Sequence, residues 1–428
     1  MRNMRVLWVC NVMLPEIAVE LGKPAPAIGG WMSGLLHAMV QSDEVQLGIC
    51  YPACGEPAVS GETKAFSYYS FTQNALILNQ YEPMIENQLK DIMARFQPDL
   101  VHIFGTEYVH TLAAVKAFGK PEHTVIGIQG MVSVYAKHFM NGVPERICRG
   151  CTFRDIVKRD NLYHQRDSFY KRGVFEEEAI RMAGHVIGRT DWDLACTQQI
   201  NPLGRYHFCN ETLRDSFYEA RWSYEKCDPY TIFVSQGSYP IKGFHYVLEA
   251  MPEILKREPR AKVYVAGGDI TRADSLKDRL RMSSYGRYIR ELIQQYGLED
   301  KVIYTGFLSE LEMRERFLKA HVFVSPSTIE NSPNSVGEAM LLGMPVVSSD
   351  VGGVKNMMTH EKEGYVYACD APYMLAHYVG KIFEDSQLAQ RMGQAAYEKA
   401  SVTHEKKRNC ERMLAIYHEI LEGSYASQ

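Results

Sequence analysis

The chain has 428 residues, 46% of them hydrophobic and 23% charged, ordinary values for a globular protein. That length exceeds what one hydrophobic core organises, so two domains are expected. A formal net charge of −4 argues against the basic face of a nucleic-acid binder, and no apolar run reaches the roughly 18–20 residues of a membrane span.

"MRVLWVCNV" at the start is of strand length, too short for a signal sequence. A loop with Pro24, Pro26 and the pair Gly29-Gly30 follows, then the amphipathic "WMSGLLHAMV" and a second strand, "VQLGICYP". A polar-aromatic stretch leads to the helix "EPMIENQLKDIMARF". "PDLVHIFG" and "HTVIGIQG" read as buried strands around the helix "HTLAAVKAFGK". Residues 140–184 lose this pattern and read as a basic, aromatic helical excursion from the first domain. "HVIGRT" and "RYHFCNE" restore strands. From residue 230 the alternation restarts: "YTIFVSQGS", "AKVYVAGG", "KVIYTGFL", "HVFVSPS", "PVVSSD" and "GYVYACD" are strands with helices between them. Alternation of this kind predicts parallel sheets with right-handed crossovers. The expected architecture is two Rossmann-like doubly wound domains, 1–225 and 226–400, facing each other across a ligand cleft, with a helix over 401–428 capping the structure.

The ten cysteines are scattered through apolar runs, which suits reduced thiols in a cytoplasmic protein. Cys148 and Cys151 have half the spacing of a zinc site but lack a partner pair. Asp191 and Asp193 in "TDWD" are read as helix-start acids in preference to metal ligands.

"SPSTIENSPNSVGEAMLLGMPVVSSD" places two acids around a helix start. Pro333 suits a first helical turn with Ser332 as its cap. The N–H groups of Asn334, Ser335 and Val336 then form an anion site aided by the helix dipole. Glu338, one turn in, can grip vicinal hydroxyls such as those of a ribose. Glu330, before the helix, can accept hydrogen bonds from a second polyol. An anion flanked by hydroxyls at both ends describes a nucleoside diphosphate sugar. Taken alone, the residues fit as well a solvated loop acid and a dipole-stabilised surface acid.

The passage resembles the E-x7-E signature of the retaining GT-B glycosyltransferases of family 4. The two acids are followed by "A-x-x-x-G-x-P-V" and by Gly352-Gly353. "GSYPIKGFHYVLEAMPEI", "VYVAGG" and "VIYTGFLSELEM" precede them in the family's order, and "IGGWMSGLLHAM" matches more loosely. The resemblance implies that Lys242 contacts the donor diphosphate, that Glu330 and Asn331 to Val336 surround the donor, and that Glu338 holds its ribose. It places Gly29 and Gly30 over the diphosphate. Two departures are visible. Gln236 and Gly237 stand where relatives carry an arginine; either Gln236 donates a neutral hydrogen bond there or an arginine from elsewhere substitutes, with Arg189 the candidate. Gln129 stands where many carry a histidine. His110 is an alternative to it, whereas His102 reads as a buried structural histidine.

The implied activity is retaining transfer of a sugar, from a UDP-sugar or GDP-mannose, to a glycan or lipid-linked acceptor hydroxyl. No cofactor, metal or nucleic acid is implied. The basic, aromatic excursion at 148–172 fits three roles: lining the acceptor side, peripheral contact with an anionic membrane surface at the inner face of the cell membrane, or a solvated helical face. The alternatives on the same fold are a nucleotide-sugar epimerase or phosphorylase-like enzyme, and an assembly subunit without activity.

Overall fold

In a computed structural model of the chain, residues 3–24, 29–74 and 79–425 are described. Pro26 lies outside them. The chain forms two compact units, one made of Met1–Val134, Ser168–Asp215 and Thr403–Gln428, the other of Tyr135–Asp167 and Ser216–Val402. The helical excursion expected over 140–184 is therefore divided between the units, and the chain passes into the second at residue 216, ahead of the expected 226.

The first unit contains β1 (Met4–Val9), β2 (Val45–Cys54), β3 (Ser60–Glu62), β4 (Phe66–Gln73), β5 (Leu100–Phe104), β6 (Thr124–Gly127), β7 (His185–Gly188) and β8 (Arg205–Phe208). Their order across the sheet is β3-β4-β2-β1-β5-β6-β7-β8. Only the β3–β4 edge pair is antiparallel. A parallel sheet is covered on both faces, which explains why Val6, Leu7, Trp8 and Val9 are all fully buried. The last helix, Lys406–Tyr425, returns to this unit. Its Met413, Ile416 and Tyr417 join the core beside Val6 and Trp8, and the Trp8 Nε1–H donates to Tyr417 Oη at 3.0 Å.

The second unit contains β9 (Thr231–Val234), β10 (Lys262–Val265), β11 (Val302–Tyr304), β12 (Val322–Ser325), β13 (Val346–Ser349) and β14 (Tyr365–Tyr367). The sheet order is β11-β10-β9-β12-β13-β14 and every pairing is parallel. The helix Phe244–Arg257 covers it with Phe244, Val247, Leu248, Met251 and Ile254, spaced at three and four residues, all buried. Both sheets are doubly wound, as the alternation of elements predicts.

β3 and β4 were not expected. "FSYYSFTQ" has polar residues at every other position or so, and its burial alternates over much of its length. Ser and Gln among the aromatics hide a strand whose inner face is Phe66, Tyr68 and Ser70.

Candidate functional site

In the second sheet the strand order reverses between β9 and β12, so the loops leaving these neighbours diverge and open a crevice at their carboxyl ends. Lys242 sits after β9 and Glu330 after β12, and Lys242 Nζ donates to Glu330 Oε1 at 2.5 Å. Both are largely buried.

Local chemistry fixes each partner. Pro240–Lys242 is a single 3-10 turn that ends at Gly243, where φ is +66°. A Cβ on Gly243 would lie 1.9 Å from the Pro326 carbonyl oxygen, so only glycine lets this turn rest on the β12 loop. The Thr328 N–H donates to Ile241 O at 2.7 Å and locks the two loops together. Gly352 closes the other side. Its φ is +52°, and a Cβ there would stand 1.7 Å from Glu330 O. The Gly353 N–H donates to that same oxygen at 3.2 Å. Ser327 Oγ donates to Glu330 Oε1 at 2.8 Å, and Ser349 Oγ holds Ser327 O at 2.6 Å. Tyr135 Oη accepts from the Asn331 N–H at 3.1 Å. Ser327, Ser349 and Tyr135 support the site without having been singled out in the sequence.

Burial pulls the Lys242 ammonium toward neutrality, but the Glu330 charge and the Tyr239 hydroxyl oppose it more strongly, leaving its pKa above the ordinary lysine value. The site therefore holds a fixed cation.

The helix Asn334–Leu342 starts one residue later than expected. Pro333 has an extended ψ of 118° and is itself the cap, so Ser332 lies outside. The Val336 N–H donates to Pro333 O at 2.9 Å, which removes it from the expected set of anion-facing amides. Asn334 and Ser335 open the helix, half-buried, and no side chain caps this end. Glu338, one turn on, is buried. Gln236 is exposed, while Gly237 is packed against Phe244 and Val265.

The first unit brings together another group. Gln129 follows β6, Arg189 immediately follows β7, and Glu211 follows β8. Gln129 Nε2 donates to Glu211 Oε1. Arg189 Nη1 is 2.9 Å from the same oxygen and donates to Ile128 O at 2.8 Å. Arg189 is thus neutralised within its own unit rather than presented as a bare phosphate-binding cation. Burial pushes the Glu211 carboxyl up, with the Arg189 charge and the Gln129 amide countering it. A cavity of about 20 Å³ is lined by Gln129, Arg189, Glu211 and His102. Glu211 Oε2 and His102 Nε2 are buried there with no hydrogen-bond partner among the described residues. The acid at the end of "RYHFCNE" was the available signal for Glu211, since strand carboxyl ends carry sites in such sheets.

Gly29 caps the helix Gly30–Met39 at φ +89°, and a Cβ there would meet Val12 Cγ2 at 2.6 Å. His110 is buried between Gln73 and Asn11, and burial drives its pKa down to about 3, so it stays neutral. Asp193 belongs to a capping box with Thr190. Cys148 Sγ donates to Val143 O and Cys151 Sγ accepts from Asn161. Among the described residues no cluster of three or more His, Cys, Asp or Glu is placed to hold a metal.

Residues 217–399 match the family described as Glycosyl transferases group 1. This segment is a glycosyl transferases group 1 domain. An uncharacterized glycosyltransferase of Methanocaldococcus jannaschii is 32% identical over 154 residues, 36% of this chain and 35% of that protein. The alignments span 35%, 43% and 63% of the length of three such curated relatives. Sucrose-phosphate synthase from Thermosynechococcus elongatus superposes with a TM-score of 0.72 over 98% of this chain and 100% of that one, at 16% identity. Anabaena HepE, crystallised with UDP-glucose, superposes with a TM-score of 0.62 over 96% and 100% of the two chains, at 16% identity. The fold is GT-B. Lys242, Glu330, Glu338 and Gly352 all lie inside the group 1 domain, whereas Gly29, Gln129, Arg189 and Glu211 precede it.

Proposed function

We propose that the chain transfers a sugar from a nucleoside diphosphate sugar to an acceptor hydroxyl, with retention at the anomeric carbon and without a metal. The observation that carries this reading is the Lys242–Glu330 pair at the β9/β12 switch point, beside the uncapped start of the helix Asn334–Leu342. A uridine donor is favoured because HepE, of the same fold, was crystallised with UDP-glucose.

In this reading the diphosphate lies against the Asn334 and Ser335 end of the helix, with Lys242 beside it and Glu338 on the ribose. Glu330 serves two purposes, keeping Lys242 charged and accepting from donor hydroxyls. The acceptor oxygen bonds to the anomeric carbon on the face from which the phosphate leaves. The C–O bond to the β-phosphate breaks with its electron pair going to phosphate, and the acceptor's proton passes to that oxygen. Charge gathers on the leaving group, where a fixed cation stabilises it more than in the ground state.

Incubation of the purified chain with UDP-glucose, other UDP-sugars and GDP-mannose, with acceptor glycans, tests the reading. A product with the donor's anomeric configuration, formed equally with EDTA present, is expected. An inverted linkage refutes retention, and an epimer formed from donor alone moves the chain to the epimerase class. Glu338→Ala is expected to weaken UDP binding in calorimetry by roughly tenfold, the worth of a charge-assisted hydrogen bond. An unchanged Kd removes Glu338 from the ribose.

A further inference from the structure

Two short helices of the second unit, Phe153–Lys158 and Leu276–Arg281, lie side by side although more than a hundred residues separate them. Both start on capping boxes, Thr152 with Asp155 and Ser275 with Asp278. Their burial is the reverse of an ordinary surface helix. The first buries only Asp155, whose carboxylate accepts from the Thr152 and Ser284 N–H groups at 3.0 Å. The second buries nothing. Their apolar side chains point outward, with Phe153 60%, Ile156 65%, Val157 65% and Leu276 74% exposed. Phe153, Val157, Leu276 and Leu280 line one shallow groove, and Ile156 is exposed one turn of helix from Phe153. These residues contribute nothing to the core of their own unit.

The charge around them is predominantly positive, and the exposed Asp274 is paired with Arg272 at 3.0 Å. Asp155 and Asp278 are occupied by caps, and Asp160 is held by Arg154 at 2.6 and 2.8 Å. Lys158, Arg159, Lys277, Arg279 and Arg281 are exposed and make no ion pair among the described residues. This cationic face belongs to a chain of net charge −4.

We propose that the Phe153–Lys158 and Leu276–Arg281 face docks on an anionic lipid bilayer, its five apolar side chains at the headgroup boundary and its cations on lipid phosphates. Bulky apolar groups ringed by unpaired Lys and Arg match that boundary on both counts. A second copy of the chain fits poorly, because a two-fold contact would press one cationic rim on another. The proposal does not rest on transfer activity, and its test reads binding alone.

The full chain is sedimented with phosphatidylcholine vesicles, with and without about a third phosphatidylglycerol, at low and high salt. Binding to the anionic vesicles only, weakened by salt, is expected. Ile156→Asp with Leu276→Asp is expected to abolish it, and Lys158→Glu with Lys277→Glu to lower it by on the order of tenfold or more. Both pairs are solvent-exposed and are expected to keep the parent's melting temperature. Absence of binding by the parent, equal binding to neutral vesicles, or undiminished binding by both folded variants overturns the proposal. So does a dimer in sedimentation velocity that these substitutions dissolve.

Discussion

Lys242 Nζ and Glu330 Oε1 meet at 2.5 Å across 88 residues of chain, at the mouths of two strands that are neighbours in the sheet. Neither charge is well solvated, so each is the other's main compensation. Lys242→Ala should lower kcat by more than tenfold, since loss of one electrostatic stabiliser at a leaving group costs more than about 2 kcal/mol. It also strands the Glu330 carboxylate. Glu330→Gln should cost less in stability, because Ser327 Oγ can still donate to the amide oxygen. A double-mutant cycle on melting and on kcat/KM is expected to show strong non-additivity, and additive effects would mean the pair does not act as a unit.

Gly352 is a backbone prop for Glu330. Alanine there should cost about 1 kcal/mol for its left-handed conformation and also displace the Glu330 carbonyl, 1.7 Å from the new Cβ. Gly297 is the control. It has φ +62° with nothing within 4 Å, so Gly297→Ala carries the conformational cost alone. Transfer activity should fall sharply in Gly352→Ala and stay near the parent level in Gly297→Ala. Equal losses would deny Gly352 its role.

The fold was legible because strand and helix alternate in the sequence with clean Gly and Pro punctuation, and a buried parallel strand such as "TIFV" leaves few other readings. Glu330 and Glu338 were singled out by their places on either side of Pro333, and Lys242 only by the resemblance of its Lys-Gly turn to that of a known family. What the sequence hid depends on tertiary pairing. Nothing local says that the Val336 amide turns back to Pro333 O, that Arg189 is neutralised by an acid 22 positions on, or that a helix at 276 completes an apolar face begun at 153. β4 was hidden by its own composition, as Ser and Gln on an edge-side strand mimic a loop.

Glu211 gathers Gln129 and Arg189, and the Arg189–Glu211 pair is nearly closed to solvent. Removing one member of such a pair leaves an uncompensated charge, so Glu211→Ala and Arg189→Ala should each destabilise the chain by about 3 kcal/mol or more. The double replacement should cost clearly less than the sum, as read by denaturant unfolding. If both single variants melt like the parent, the pair is not holding the carboxyl ends of β7 and β8.

His102 offers a pH test. It is buried on β5, bonds Tyr417 Oη through Nδ1 at 2.7 Å, and burial drives its pKa from the ordinary 6.5 down to about 3. In the unfolded chain the ring takes a proton near 6.5, whereas in the folded chain it resists until about 3. Between those values the unfolded state binds more protons, so stability is lost as pH falls through this window and is complete above it. Each unit of pH well inside the window costs about 1.4 kcal/mol from this one group. His102→Gln removes the titration along with the hydrogen-bonding ring. Its stability deficit against the parent, measured by urea denaturation, should therefore shrink by about 1.4 kcal/mol between pH 7.5 and 5.5. The comparison with the parent cancels the titrating groups remote from the substitution, and Glu211, which shares the His102 cavity, is controlled by repeating it in Glu211→Gln. A deficit that stays constant over that range would show that the ring charges as easily in the folded chain as in the unfolded one, and would remove burial as the reason it stays neutral.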